Sequence, residues 1–252
     1  MYEASPFVSS CLRGQERREH AEMTRPPDAQ LSLLHLCDSL FPIGSFAYSD
    51  GLESAAVNGF VTSVAHLSEW LDACRDEAFG RSEGPAIAIA WPALKIGDWD
   101  AVVAIDQEIT ALRASSSTRM ASRSMGLRMV KTWQTLHPDA GLEELVGLAR
   151  TGRLGPALPI AFSAVSRSAG LGLRDTLTGY AYTRLASTVS AAMRLVSIGQ
   201  TDAHRLLSRA LEQVPATVDA VMDRQARPES FAPAFDIAQM TQQYVHSRLF
   251  RS

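Results

Sequence analysis

The chain holds 252 residues, 46% of them hydrophobic and 20% charged, with 24 basic against 27 acidic side chains. That composition is globular and near-neutral, with no basic footprint for nucleic acid and no acidic block for a cationic partner. Cys11, Cys37 and Cys74 lack CxxC spacing, so they form neither a disulfide framework nor a zinc knuckle, and a reducing cytoplasm fits them best.

Residues 1–30 read as a solvated N-terminal extension. Arg13, Glu16, Arg17, Arg18, Glu19 and Glu22 precede Arg25-Pro26-Pro27, the basic-then-apolar order of a secretory signal is missing, and Met23 is an alternative start. No apolar run reaches the roughly 18–20 residues that cross a bilayer. From Leu31 to Ser252 helical periodicity dominates. Leu33, Leu34, Cys37, Leu40 and Phe41 share a face of a first helix, stopped by Pro42. Leu52, Ala55 and Ala56 belong to a short helix ended by Asn58-Gly59. Ser63 caps the next, with Val64, Leu67, Leu71, Cys74 and Ala78 in a 3-4-3-4 seam. Ile87, Ile89 and Trp91 alternate before Pro92 and read as a helix broken at the proline.

Asp98 opens a helix carrying Val102, Ile105, Ile109 and Leu112. Met125, Met129, Trp133 and Leu136 mark another, closed by His137-Pro138, and Asp139 starts a short one with Leu142, Leu145 and Ala149. The longest candidate runs from Asp175 to Gly199. Its many Ala and Ser side chains allow close approach, which places it at the centre of the domain. Thr201 caps a helix with Ala203, Leu206, Leu207 and Ala210 inward, ended by Pro215. A last amphipathic segment runs from Asp236 through Ile237, Met240 and Tyr244 into the tail. The expectation is an all-α fold, a single-domain helical bundle of about ten helices over residues 31–252.

Several chemistries are missing. Lys95 and Lys131 follow Leu94 and Val130, so neither completes a GxxxxGK[ST] phosphate loop. Gly170-Leu171-Gly172 lacks the third glycine of a dinucleotide fingerprint. No His has a Glu three residues before it, as the di-iron bundles require. His35 and Cys37 point about 200° apart on a helix and cannot share a metal from it. Ser45 and Ser49 are not in a G-x-S-x-G elbow. No catalytic, cofactor-binding or metal-ligating residue is therefore expected. The competing reading, a stand-alone all-α enzyme or small-molecule-binding protein, requires a pocket with convergent polar groups, for which no constellation stands out.

Three segments look specialised. Phe41-Pro42-Ile43-Gly44-Ser45-Phe46-Ala47-Tyr48-Ser49-Asp50-Gly51-Leu52-Glu53 is an aromatic, glycine-bearing loop entering a helix. Ser49 or Asp50 is placed to cap that helix and Glu53 to close a capping box, and the loop reads either as a well-packed connection or as a rigid loop presenting Phe46 or Tyr48 to a partner. Arg119 and Arg123 share a helix face near a serine-rich N-terminus, which reads first as a solvated arginine face and otherwise suits a partner's acidic patch or an internal carboxylate. The terminal Ser247-Arg248-Leu249-Phe250-Arg251-Ser252 sets two apolar residues between arginines, an odd choice for a free tail, and is expected to dock against the body or a partner.

FPIGSFAYSDGLE, ALRASSSTRMASRSMG, SAAMRLVSIGQTDAHRLL and FDIAQM with the terminal SRLFRS are collinear, and in this order and spacing they resemble the urease accessory protein UreF family. The likeness covers Leu31 to Ser252. Where many members carry His-Glu after the last-helix methionine, this chain has Gln242-Gln243. The resemblance implies an all-α, dimer-forming cytoplasmic adaptor without a cofactor. It would bind UreD (UreH in some systems) and the GTPase UreG, dock on urease apoprotein, and support nickel insertion. The phosphate loop would belong to UreG, whose GTP hydrolysis such an adaptor would regulate. By that likeness the Tyr48 loop and the C-terminal residues would lie at a partner surface, and the candidate partner-binding residues are Phe46, Tyr48, Glu53, Arg119, Arg123, Gln200, Arg248, Leu249, Phe250, Arg251 and Ser252. The last five would order on UreD.

Overall fold

The computed structural model describes residues 28–251, so most of the N-terminal extension, Cys11, Met23 and Ser252 lie outside the described residues. Within that range the chain is all-α. Helix α1 spans Ala29–Cys37, α2 Leu52–Val57, α3 Val64–Ala73 and α4 Gly84–Ile96. They are followed by α5 Trp99–Ala111, α6 Ser116–Leu136, α7 Ala140–Arg150 and α8 Leu158–Ser168. The last four are α9 Leu173–Leu195, α10 Gln200–Glu212, α11 Val214–Arg224 and α12 Pro233–Thr241. The count of twelve among the described residues compares with the ten or so expected.

Helix starts follow the sequence where an oxygen-bearing cap is present. The side chains of Ser63, Asp98 and Asp139 accept the backbone N–H of His66, Ala101 and Leu142, and Asp28 accepts that of Gln30 to open α1. Three expectations are corrected. First, α1 stops at Cys37, because Asp38 forms a local turn in which its carboxylate accepts the Leu40 N–H and its carbonyl the Phe41 N–H. The buried residues of α1 are Ser32 and Leu36, while Leu34 and Leu40 face solvent. Second, α4 runs unbroken through Pro92 to Ile96. Ala86, Ile87, Ala90, Ala93 and Leu94 are all buried, and that packing outweighs the roughly 3 kcal/mol penalty of an internal proline. Third, α9 ends at Leu195. Gly199 has φ −70° and is the residue before α10, so it terminates nothing, and Thr201 lies inside α10 instead of capping it. Likewise Pro215 sits in the first turn of α11, where its missing N–H would have had no partner anyway.

Between α3 and α4 the helix widens to a ten-residue π-helical segment, Cys74–Glu83. Pro85 supplies no N–H to the carbonyls behind it, and the Arg81 carbonyl accepts the Glu229 N–H instead, at 2.8 Å. The buried apolar side chains form one connected core. Helix α9 lies at its centre, as its small residues imply, touching α1, α2, α3, α4, α8, α10, α11 and the π segment. Gly179 lets α1 lie close over it, for a Cβ there would meet the side chains of Leu33 and Cys37. The Cys37 thiol is pushed up to about 12 by burial, so it acts as an apolar residue.

Helix α8 has no side-chain cap of its own, and its entrance is satisfied from neighbouring helices. Asp106 of α5, fully buried, accepts the N–H of Ala157 at 2.7 Å and of Gly155 at 3.3 Å, while the Ser122 hydroxyl of α6 accepts that of Leu158 at 3.0 Å. Burial pushes the Asp106 carboxyl up to about 6, against the pull of those two N–H groups and of Arg123. A carboxyl whose folded value exceeds its unfolded one binds protons more tightly when folded. Its ionisation therefore opposes folding above pH ~6, and that penalty is relieved as pH falls towards ~4. Compared with Asp106→Asn, which cannot titrate, the unsubstituted protein should gain up to ~2 kcal/mol of relative stability between pH 7 and pH 4.5. Urea unfolding at the two pH values measures this, and a pH-independent difference would refute it.

Candidate functional site

The loop after α1 and the C-terminal tail, 196 residues apart at their closest hydrogen bond, meet in one place. Ser45–Ala47 form a single 3-10 turn. After it, Tyr48 pairs with Arg251 as an isolated parallel bridge, with the Arg251 N–H on the Ala47 carbonyl at 2.7 Å. Glu53 is 1% exposed, and its carboxylate accepts the backbone N–H of Leu249 and, at 3.4 Å, of Phe250. The expected capping box is thus absent: Glu53 holds the tail. Gly51 with φ 91° precedes α2 without a side-chain cap, although the Ser49 hydroxyl accepts the Glu53 N–H at 3.4 Å.

Two further side chains join loop and tail. The Gln242 carboxamide oxygen accepts the Ser49 hydroxyl at 3.1 Å and the Gly51 N–H at 2.9 Å, and its nitrogen donates to the Arg251 carbonyl at 3.3 Å. A single neutral amide supplies both the acceptor and the donor this junction needs. Arg194, from the last turn of α9, donates to the Phe46 carbonyl at 2.9 Å and lies 4.1 Å over the ring of Phe250, which is buried. The result is a composite surface whose backbone is tied down while Phe46 and Leu249 stand 70% and 68% exposed. Ile237, Met240 and Tyr244, on α12 and the turn after it, are also exposed apolar residues.

Beneath the loop lies a buried charge cluster. Asp50 pairs with Arg184 at 2.5 Å, Arg184 with Glu83 at 3.1 Å, and Glu83 with Arg113 at 2.5 Å. Burial raises the Asp50 carboxyl, but Arg184 and Arg113 outweigh it and hold it below its ordinary value. The Tyr180 phenol is pushed well up by burial and by Glu83. These groups form part of the lining of a groove of about 810 Å³ whose apolar lining includes Leu34, Phe46 and Tyr182. The four charges of the cluster, two positive and two negative, are paired with one another, and Asp38 and Arg251 also line the groove.

The other residues singled out in the sequence lie elsewhere. Arg119 donates to the carbonyls of Arg113 and Ala114, at 2.5 and 3.1 Å, and so ties down the loop that opens its own helix. Arg123 is exposed, with its guanidinium against Gly155 and its charge acting on Asp106, an internal carboxylate. Gln200 is the exposed first residue of α10, and Arg248 is exposed. Glu83, Arg113, Arg184 and Arg194 are marked by nothing local in the sequence. Asp50 is marked there only as a candidate helix cap, and Gln242 as a departure from a family pattern. Among the described residues, no group of three or more His, Cys, Asp and Glu converges, and no helix is long and apolar enough to cross a membrane.

The UreF family model matches residues 61–211. A protein of Arthrobacter sp. (strain FB24) called urease accessory protein UreF is 31% identical over 226 residues, covering 88% of this chain and 97% of that protein. Proteins of the same name from Polaromonas sp. (strain JS666) and Methylibium petroleiphilum are 29% and 32% identical, covering 90% and 88% of this chain and 96% and 93% of theirs. A model match over more than half the chain, together with near full-length likeness to such relatives, settles the affiliation: the chain belongs to the UreF family of urease accessory proteins.

Proposed function

We propose that this protein is a non-catalytic adaptor in urease maturation. It joins UreD (UreH in some systems) and the GTPase UreG in a cytoplasmic complex, as a homodimer, that docks on urease apoprotein and supports insertion of nickel, the cargo of the reaction. The observation that carries the reading is the composite surface of loop and tail. A surface built to act by contact needs rigid backbone beneath exposed apolar side chains, since pre-ordering lowers the entropy lost on association. Phe46 and Leu249 are exposed while the backbone on either side is held by Glu53, Gln242 and Arg194. In this reading Phe46, Tyr48, Glu53 and Arg248 to Ser252 serve the partner surface. Arg119, Arg123 and Gln200 form a second set of partner-binding candidates away from that surface. Because the charged floor of the groove is internally compensated, a stand-alone enzyme or small-molecule binder has less support.

Co-expression with UreD and UreG of the same organism, followed by affinity capture and sizing, tests the proposal. The expected product is one complex holding all three chains, with two copies of this one. Capture of neither partner would overturn it.

A further inference from the structure

The charge cluster under the loop serves a purpose that core packing alone does not require. Asp50 adopts φ 53°, one of two non-glycine residues with positive φ among those described, and Gly51 follows at φ 91°. Two consecutive left-handed residues turn the chain from the exposed Phe46 stretch into the buried start of α2. Left-handed backbone is disfavoured for any residue with a Cβ and persists only where its surroundings over-determine it. The surroundings here are specific. One Asp50 oxygen takes Arg184 at 2.5 Å and the other accepts the Gln239 carboxamide at 3.0 Å. Gly51 lies so close to α12 that a Cβ would meet the Gln239 backbone nitrogen at 3.0 Å. Arg184 is held from its other side by Glu83, which Arg113 holds in turn. A chain of four alternating charges therefore runs from the α5–α6 junction, through the π segment and α9, to the turn beside Tyr48.

We infer that Arg184 is a positioning residue for the partner-facing loop: through Asp50 it sets the turn that carries Phe46 and Tyr48 to the surface. The inference rests on the docking role proposed for that loop. Charge bookkeeping predicts how the cluster responds to substitution. Arg184→Gln leaves Asp50 and Glu83 against Arg113 alone, with one carboxylate uncompensated. Asp50→Asn together with Arg184→Gln leaves the neutral pair of Glu83 and Arg113, and asparagine tolerates left-handed backbone as aspartate does.

The test uses the full chain with the partners of the preceding reading, in Arg184→Gln, in the double variant and in Phe46→Ala. Amide hydrogen exchange, the unfolding midpoint and partner capture are the readouts. In Arg184→Gln, exchange over residues 44–53 should rise about tenfold while α6 and α8 keep their protection. Capture should weaken about tenfold, and the double variant, which is charge-balanced but also lacks the Arg184–Asp50 contact, should stay impaired. Unchanged exchange over 44–53, a rise spread evenly over the whole chain, or a double variant that recovers both exchange and capture would each overturn the inference. So would raised local exchange with full capture, if Phe46→Ala impairs capture. If Phe46→Ala captures fully, the docking role of the loop falls, and the exchange pattern alone still decides whether Arg184 sets the turn.

Discussion

Gly126→Ala should destabilise the protein by about 3 kcal/mol, the upper end of ordinary overpacking. Gly126 is buried on α6 where that helix crosses the entrance to α8. A Cβ there would be driven into the Pro156 carbonyl oxygen and would lie 3.1 Å from the carbonyl carbons of Pro156 and Ala157. All three atoms are backbone, so no side chain can swing aside. The only relief is to separate two helices that share the core around Met129, Val130 and Ile160. The same displacement strains the hydrogen bonds that Asp106 and Ser122 accept from the α8 entrance. For a chain of this length the melting temperature should drop by roughly 10 °C. Gly147→Ala on α7 is the matched control. Nothing lies within 4 Å of its Cβ position, so helix propensity alone should act, with a gain of about 0.5–1 kcal/mol. Thermal unfolding of both variants checks the pair; equal melting temperatures would mean that α6 and α8 are not packed this way.

Glu53→Ala should release the C-terminal tail and weaken partner capture about tenfold while the helical core stays folded. The buried carboxylate is the acceptor for the Leu249 and Phe250 N–H groups, and each orphaned donor costs roughly 1–3 kcal/mol if it stays buried. The tail avoids that penalty by leaving. Phe250 then loses its place against Arg194, and Tyr48 its pairing with Arg251. Glu53→Gln keeps one acceptor oxygen and should lie between the two. Limited proteolysis reports release of the tail and affinity capture its consequence. A released tail with undiminished capture would separate tail order from partner binding.

Much of the helical layout is legible residue by residue. Ser63, Asp98 and Asp139 are local devices whose partner lies three residues away. Phe46, Glu53 and the tail also stand out, but as separate oddities, because nothing local says that Glu53 reaches across 196 residues to Leu249. Sequence reasoning gave Glu53 a local partner, the capping box, and tertiary structure supplied a better one. The same physics hides the charge cluster, whose members come from the loop, the π segment, the α5–α6 junction and α9. Pro92 and Gly199 mislead for another reason. Their average preferences are overridden, at Pro92 by burial of the flanking α4 residues and at Gly199 by the helix that begins after it. Helix α8, Leu158–Ser168, carries no local start signal because its entrance is capped by side chains of α5 and α6.

The central claim, an adaptor that promotes urease maturation without chemistry of its own, is tested most directly by the co-expression experiment read out as urease activity. Urease apoprotein, UreD and UreG are supplied with nickel, with and without this chain. Nickel-dependent urease activity is expected only when the chain is present, with little when it carries Glu53→Ala. Full activation in its absence would rule out the adaptor role.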